Sequence, residues 1–230
     1  MTETQLASLV ASILGDKDFV FLPREAYEDA VNTAFMEYMS YYPLRKTAEF
    51  DVDSANYAEY DIQAIASNWK EGFSVVVGLE LVNVDSSPYT YVLAGTYVRS
   101  NYYDVYEDFE TNTYKLRILF RYKGRMRMHY TAPYNLLSEV PQYDINGIKY
   151  LACYYACLSS VARVSQMVEN YINADKMTYD RRGKNFMELA EMYKKRAYSL
   201  LNIPDEGVAP YSAGYAVSYI ERRRAIRRTN

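Results

Sequence analysis

A chain of 230 residues, 50% of them hydrophobic, can bury a substantial core as one or two domains without disulfides or a metal. Its formal net charge of -3 excludes a protein that coats nucleic acid by bulk charge. The average conceals an asymmetry: Glu221 to Asn230 carry five Arg and one Glu, a net +4 that leaves -7 on the rest.

Two cysteines, Cys153 and Cys157, lie four apart on a helical pattern and read as buried thiols, which suits a reducing compartment. The opening MTETQLASLV lacks a basic start and a sustained apolar core, and no apolar run reaches membrane-spanning length. The expectation is a soluble protein of the cytosol. Tyrosine is the outlier, with 27 Tyr against 8 Phe and 1 Trp. A phenol buries apolar area while its hydroxyl still needs a partner, so the excess reads either as an assembly surface or as strand lining.

In chain order, Leu6, Leu9, Val10 and Ile13 recur at helical spacing until Gly15 stops them. A second helix begins at Pro23, taken as a first-turn residue with Glu25 behind it. It carries Tyr27, Ala30, Val31, Ala34, Phe35 and Tyr38 on one stripe and ends at Pro43. From Thr47 the period changes to two. Strands are predicted over Ala48 to Val52, Ala58 to Ile65 with a short helix as the other reading, Ser74 to Val82, and Tyr89 to Val98. The stretch NYYDVYEDFETN sets Asp104, Glu107, Asp108 and Glu110 among aromatics without ordered metal-ligand spacing, and reads as a solvated or partner-facing segment.

The segment TYKLRILFRYKGRMRMHYTAPY reads as a hairpin turning at Lys123-Gly124. Tyr114, Leu116, Ile118 and Phe120 share one face, and Met126, Met128 and Tyr130 continue it. Lys115, Arg117, Arg121, Arg125 and Arg127 form a cationic face, with His129 alongside. Helical spacing then returns, with Asp144 as a cap and Ile148, Leu151, Ala152, Tyr155 and Leu158 on an apolar face. A polar connector, NADKMTYDRRGKN, leads to a second helix bearing Phe186, Leu189, Ala190, Tyr193 and Leu200. After Leu201 the pattern dissolves, apart from a short helix near Val217 to Ile226, into a tail whose Tyr211, Tyr215, Tyr219 and Ile220 precede Arg222, Arg223, Arg224, Arg227 and Arg228.

The expected fold is α+β. N-terminal helices over 1–46 and a C-terminal helix pair over 141–203 form a helical bundle, an antiparallel β domain over 47–140 with its hairpin at 114–130 is inserted, and an extended basic tail occupies 204–230. Chemistry is sparse. His129 is the only histidine and lacks a nucleophile context, a lone His with two Cys makes no metal set, and no phosphate-binding glycine loop is present. No enzyme, cofactor or metal is expected. A hydrolase using the Asp104 to Glu110 carboxylates is the weakest alternative.

The succession YMSYYPLRK, WKEGFSVVVGLEL, the predicted hairpin with its Tyr130-Thr131-Ala132-Pro133-Tyr134 ending, Pro141-Gln142-Tyr143-Asp144, and a helix pair ending in AEMYKKRAYSLL resembles the head-to-tail adaptor, or neck connector, proteins of tailed bacteriophages, over roughly residues 24 to 201. The resemblance implies a virion protein of the neck, assembled in the host cytoplasm. It would form a ring, commonly dodecameric, between the portal protein and the tail or a second neck protein, with genome DNA crossing its lumen without sequence-specific binding and no membrane involved. It also implies that the tail docks on the portal. The cationic hairpin face would then meet acidic patches on an adjacent subunit, DNA phosphate or solvent, with subunit contact favoured. A nucleic-acid-binding module using the hairpin and the tail Arg is the alternative.

Overall fold

The computed structural model describes residues 1–54, 57–84, 95–111, 113–170 and 176–204. Among the described residues, five α-helices and two antiparallel sheets make the chain α+β. It divides into two units, one of Met1–Tyr42 with residues 134–204 and one of Pro43–Pro133.

The first unit is helical. Helix α1 (Glu3–Ile13) starts with a capping box, in which Gln5 N donates to Thr2 Oγ1 at 3.2 Å and Thr2 N donates to Gln5 Oε1 at 3.0 Å. Its expected stop holds: Gly15 has φ 78, which a side chain would resist. The loop after it is organised by Asp16. One carboxylate oxygen accepts from Val20 N at 2.8 Å and Phe21 N at 3.0 Å, and the other accepts from Leu22 N at 2.9 Å and from the Tyr27 hydroxyl at 2.8 Å. Helix α2 (Arg24–Tyr41) follows. Pro23 is its N-cap, extended at ψ 155, so it stands just before the first turn. The predicted stripe from Tyr27 to Tyr38 is buried.

Helices α4 (Gln142–Asn170) and α5 (Lys176–Leu201) form the rest of this unit. Two expectations change here. Asp144 is not a cap; it sits in the first turn of α4, 2% exposed, and accepts from the hydroxyl of Tyr38 on α2 at 2.8 Å. The polar connector is mostly helix, because α5 already begins at Lys176 and only residues 171–175 lie outside the described structure. Lys, Met and Arg are good helix formers, and Gly183 alone does not end a helix. The two helices run against each other in reverse order: Tyr150 stacks on Tyr193 at 6.0 Å, and Gly147 meets Leu201.

That last contact admits no side chain. A Cβ on Gly147 would fall 2.4 Å from Leu201 Cδ2, and Leu201 is fully buried. Gly147→Ala is therefore expected to lower stability by about 1–3 kcal/mol through overpacking, readable as a lower urea midpoint. An unchanged midpoint would mean that the helices slide apart freely.

Among its described residues, the second unit holds seven strands and the short helix α3 (Ile62–Ile65). One sheet has the order β1 (Leu44–Ser54), β7 (Tyr122–Ala132), β3 (Val76–Val84), β4 (Thr96–Val98), and the other the order β2 (Ala58–Asp61), β6 (Thr113–Ile118), β5 (Tyr103–Asp108). Their inner faces share one core containing Val52, Leu79, Leu81, Leu116, Ile118, Met126 and Met128. Both readings of Ala58 to Ile65 apply in part, since a strand runs directly into a helix. Residues 89–94 of the strand predicted to reach Val98 lie outside the described structure.

The predicted hairpin is overturned. The alternation and both faces are as expected, with Leu116, Ile118, Met126, Met128 and Tyr130 buried. But β6 and β7 belong to different sheets, joined by a crossover at residues 119–121, and Gly124 lies inside β7. Tyr122 and Lys123 already pair with Ser54 and Asp53 of β1. The crossover is fixed by Leu119 N donating to Tyr102 O at 2.9 Å and by Ser54 Oγ donating to Phe120 O at 3.0 Å. The acidic stretch around Asp104, read as solvated or partner-facing, forms a strand, β5, with Asp104 and Glu107 exposed.

Candidate interaction surface

Strand register decides what the cationic residues meet. On the outer face of the four-stranded sheet, β1 and β7 set Glu49 opposite Arg127, Asp51 opposite Arg125 and Asp53 opposite Lys123. Arg127 lies between two carboxylates: Nη2 is 2.7 Å from Glu49 Oε1, and Nη1 is 3.2 Å from Glu80 Oε2 on β3. Arg125 Nε is 3.2 Å from Asp51, and Lys123 is 3.5 Å from Asp53. His129 Nε2 lies 3.0 Å from the same Glu80 oxygen. The hydrogen bond from His129 and the Arg127 guanidinium hold Glu80 below the usual glutamate range, against the opposing effect of its desolvation.

The three-stranded sheet repeats the arrangement. Glu59 accepts from the Tyr106 hydroxyl at 2.6 Å, from the Tyr57 hydroxyl, and from Arg117 Nε at 3.0 Å. These donors lower its carboxyl, Tyr106 first. The Arg117 guanidinium lies 4.3 Å over the Tyr106 ring and 5.4 Å from that of Tyr57, in cation–π contact with both. Lys115 pairs with Asp108 at 2.5 Å, and this contact, with the Thr111 hydroxyl, brings Asp108 down to about 2.

Of the five residues assigned from sequence to the cationic face, Lys115, Arg117, Arg125 and Arg127 therefore find carboxylates within their own chain. Arg121 stands exposed in the crossover, with no partner among the described residues. The register brings Arg125 and Arg127 together on β7 and puts Lys115 and Arg117 on the other sheet. Arg117 and Arg125 each bridge neighbouring strands, to Glu59 and Asp51. The alternation gave the face of each cation, whereas its partner depends on which strand lies alongside, and that is a long-range fact. The tail residues Tyr211, Tyr215, Tyr219, Ile220, Arg222, Arg223, Arg224, Arg227 and Arg228 lie outside the described residues.

Arg127→Glu tests the ladder. The new carboxylate would face Glu49 and Glu80 across both neighbouring strands, a like-charge arrangement that destabilises sheets. The thermal midpoint should fall at low salt and recover in part near ~1 M salt, where screening acts within about 3 Å. A deficit that ignores salt would mean that packing of the Arg stem, not its charge, is what matters there.

Tyrosine has a role that composition did not reveal. The hydroxyls of Tyr27, Tyr38, Tyr155 and Tyr198 donate to Asp16, Asp144 and, for the last two, Glu37, all within the helical unit. Burial pushes the Cys153 and Cys157 thiols up to about 12, so both stay protonated and unreactive at neutral pH. Among the described residues, no three His, Cys, Asp or Glu side chains are grouped to hold a metal ion, and no helix is long and apolar enough to cross a membrane. No protein-family profile matches the chain, and no curated protein matches it.

Proposed function

We propose that the protein is a structural subunit of the tailed-bacteriophage virion, a head-to-tail adaptor that forms a ring between the portal and the tail and lines the DNA exit channel. The observation that carries this reading is the order of elements. Among the described residues, two helices come first, then seven strands with the short helix α3 between them, then two helices of 29 and 26 residues, and this order accompanies the adaptor-like succession of segments between residues 24 and 201. In this reading the helices form one bundle, N-terminal helices with a C-terminal helix pair, that carries the β unit as an insertion, and the basic tail reaches the portal. Copies of itself, the portal protein and a tail or second neck protein are its partners. It works in the virion neck after assembly in the host cytoplasm, with no cofactor and no catalysis.

The charge pattern supports passage of DNA over its capture. Cations already paired with carboxylates release few counterions when they approach phosphate, so they contribute little to affinity. The nucleic-acid-binding alternative relies on the hairpin cations together with the tail Arg, and the pairing of Lys115, Arg117, Arg125 and Arg127 with carboxylates makes it the weaker reading. Electron microscopy of virions with the protein labelled tests the proposal, and the label should form a closed ring at the neck. Label on the capsid exterior, or its absence from particles, would defeat it, and a steep loss of DNA affinity with salt for the isolated subunit would favour the alternative.

A further inference from the structure

Away from the Asp53–Lys123 end of the ladder, the outer face of the four-stranded sheet carries a partly open cavity of about 120 Å³. Arg45, Lys46 and Thr47 of β1, Gly78 of β3, Tyr97 of β4 and His129 of β7 line it. The backbone makes the space. Strand β3 shifts register between Val76 and Gly78, and Gly78, opposite His129, has no side chain to fill the floor. The Tyr97 ring roofs this gap. A Cβ on Gly78 would stand 3.7 Å from Tyr97 Cδ1, and the Tyr97 and His129 ring centroids are 5.5 Å apart with 33° between planes. Tyr97 is nonetheless 63% exposed.

Seven cationic residues lie in the strands of the two sheets. Five meet a carboxylate, whereas Arg45 and Lys46 meet none among the described residues. Both line this cavity. His129 engages Glu80 through Nε2, which leaves Nδ1 without a partner among the described residues, and the Thr47 hydroxyl has none there either. Strand alternation puts the side chains of Arg45 and Thr47, unlike that of Lys46, on the same face as His129, so donors without acceptors gather around one partly open space beside an exposed aromatic ring.

We propose that this pocket receives a carboxylate of a partner polypeptide, from an Asp or Glu side chain or a chain terminus, gripped by Arg45 and covered by Tyr97. The volume is well below the roughly 300–1,000 Å³ of sites for larger ligands, so a group of side-chain size fits. A guanidinium fork matches the two oxygens of a carboxylate. Glu80, next to His129, adds a negative charge that a dianion such as phosphate would feel more strongly than a monoanion. Exposed Tyr and Arg are also the residue types that dominate the energetics of protein contacts. The proposal does not depend on the adaptor reading.

The single histidine of the chain provides a private reporter. The full-length protein is titrated at constant ionic strength with N-acetylglutamate N-methylamide, its glutamine counterpart, or inorganic phosphate, while the His129 imidazole resonances are followed by NMR. The glutamate compound should give a saturable shift, with the other two at least about ten-fold weaker, since a charged hydrogen bond is worth about a factor of ten or more. Arg45→Gln should weaken binding by about the same factor with an unchanged unfolding curve. Gly78→Val, which fills the cavity floor without altering charge, should weaken it as well and decides the matter if the first variant misfolds. The proposal falls if no saturable shift appears, if the shift survives both substitutions, or if phosphate binds as tightly as the glutamate compound.

Discussion

Asp16→Ala is expected to lower the unfolding free energy by about 3–5 kcal/mol, the largest effect of any single substitution considered for this chain. Its carboxylate accepts from three backbone N–H groups and the Tyr27 hydroxyl, and Tyr27 is only 1% exposed. Hydrogen bonds to a charged group are each worth about 1.5–3 kcal/mol, and water recovers part of the loss because the loop is half-buried. The same loop holds Phe19 at φ 56, a left-handed conformation that costs a non-glycine residue about 1–3 kcal/mol and persists only where its surroundings enforce it. Phe19 N donates to Asp16 O at 3.0 Å, and its ring meets that of Tyr27 edge-on at 5.7 Å. Without the carboxylate, this turn loses what enforces it.

The pH dependence follows from the sign of the shift. Desolvation raises the Asp16 carboxyl, but its four hydrogen-bond donors together outweigh this and set it below the ordinary aspartate value. A folded value below the unfolded one, about 3.9, means that the contribution is fully present above the unfolded value and lost as pH falls through the folded one. Urea midpoints of wild type and Asp16→Ala should therefore differ widely at neutral pH and converge below about pH 4. A gap of equal size at both would show that the substitution acts through packing and not through the charge.

The sequence revealed local periods and concealed pairings. Helical spacing from Tyr27 to Tyr38, the Gly15 stop and the alternating faces of β6 and β7 are properties of a few neighbouring residues, and all are present. The failures are long-range. Two alternating runs separated by a possible turn look like a hairpin whether they pair with each other or, as here, with β1, β3, β2 and β5. Asp144 resembles a cap until Tyr38, 106 residues away, turns out to be its partner. The ladder had a faint signal, since Glu49, Asp51 and Asp53 alternate as regularly as Lys123, Arg125 and Arg127, and opposite charges at matched spacing suggest adjacent strands. The Arg45 cavity had none, because it depends on a bulge and a missing side chain on one strand and an aromatic ring on another.

Glu37→Ala should be the second most damaging substitution, because one carboxylate on α2 serves two other helices. Tyr198 of α5 donates to Oε1 at 2.9 Å, and Tyr155 of α4 donates to Oε2. Removing it strips both phenols of their acceptor at once. With partial compensation by water at these half-buried positions, the loss should be about 2–4 kcal/mol, and Glu37→Gln, which keeps one acceptor oxygen, should lose roughly half as much. Tyr155→Phe and Tyr198→Phe combined with Glu37→Ala in double-mutant cycles isolate the hydroxyl contribution, since neither substitution changes the packing of the ring. Alkaline titration supplies an independent arm. Burial first, then the carboxylate partner, raises the hydroxyl pKa of Tyr27, Tyr155 and Tyr198, and burial with the charge of Asp144 raises that of Tyr38. Folded values above the unfolded value of about 10 leave the folded state fully favoured below that pH and progressively disfavoured above it. Stability should drop steeply beyond about pH 10, and the drop should be shallower in Tyr155→Phe/Tyr198→Phe. Were these hydroxyls reserved for contacts with other subunits, the isolated chain would lose little stability in any of these variants, and its alkaline limb would match that of the double Phe variant.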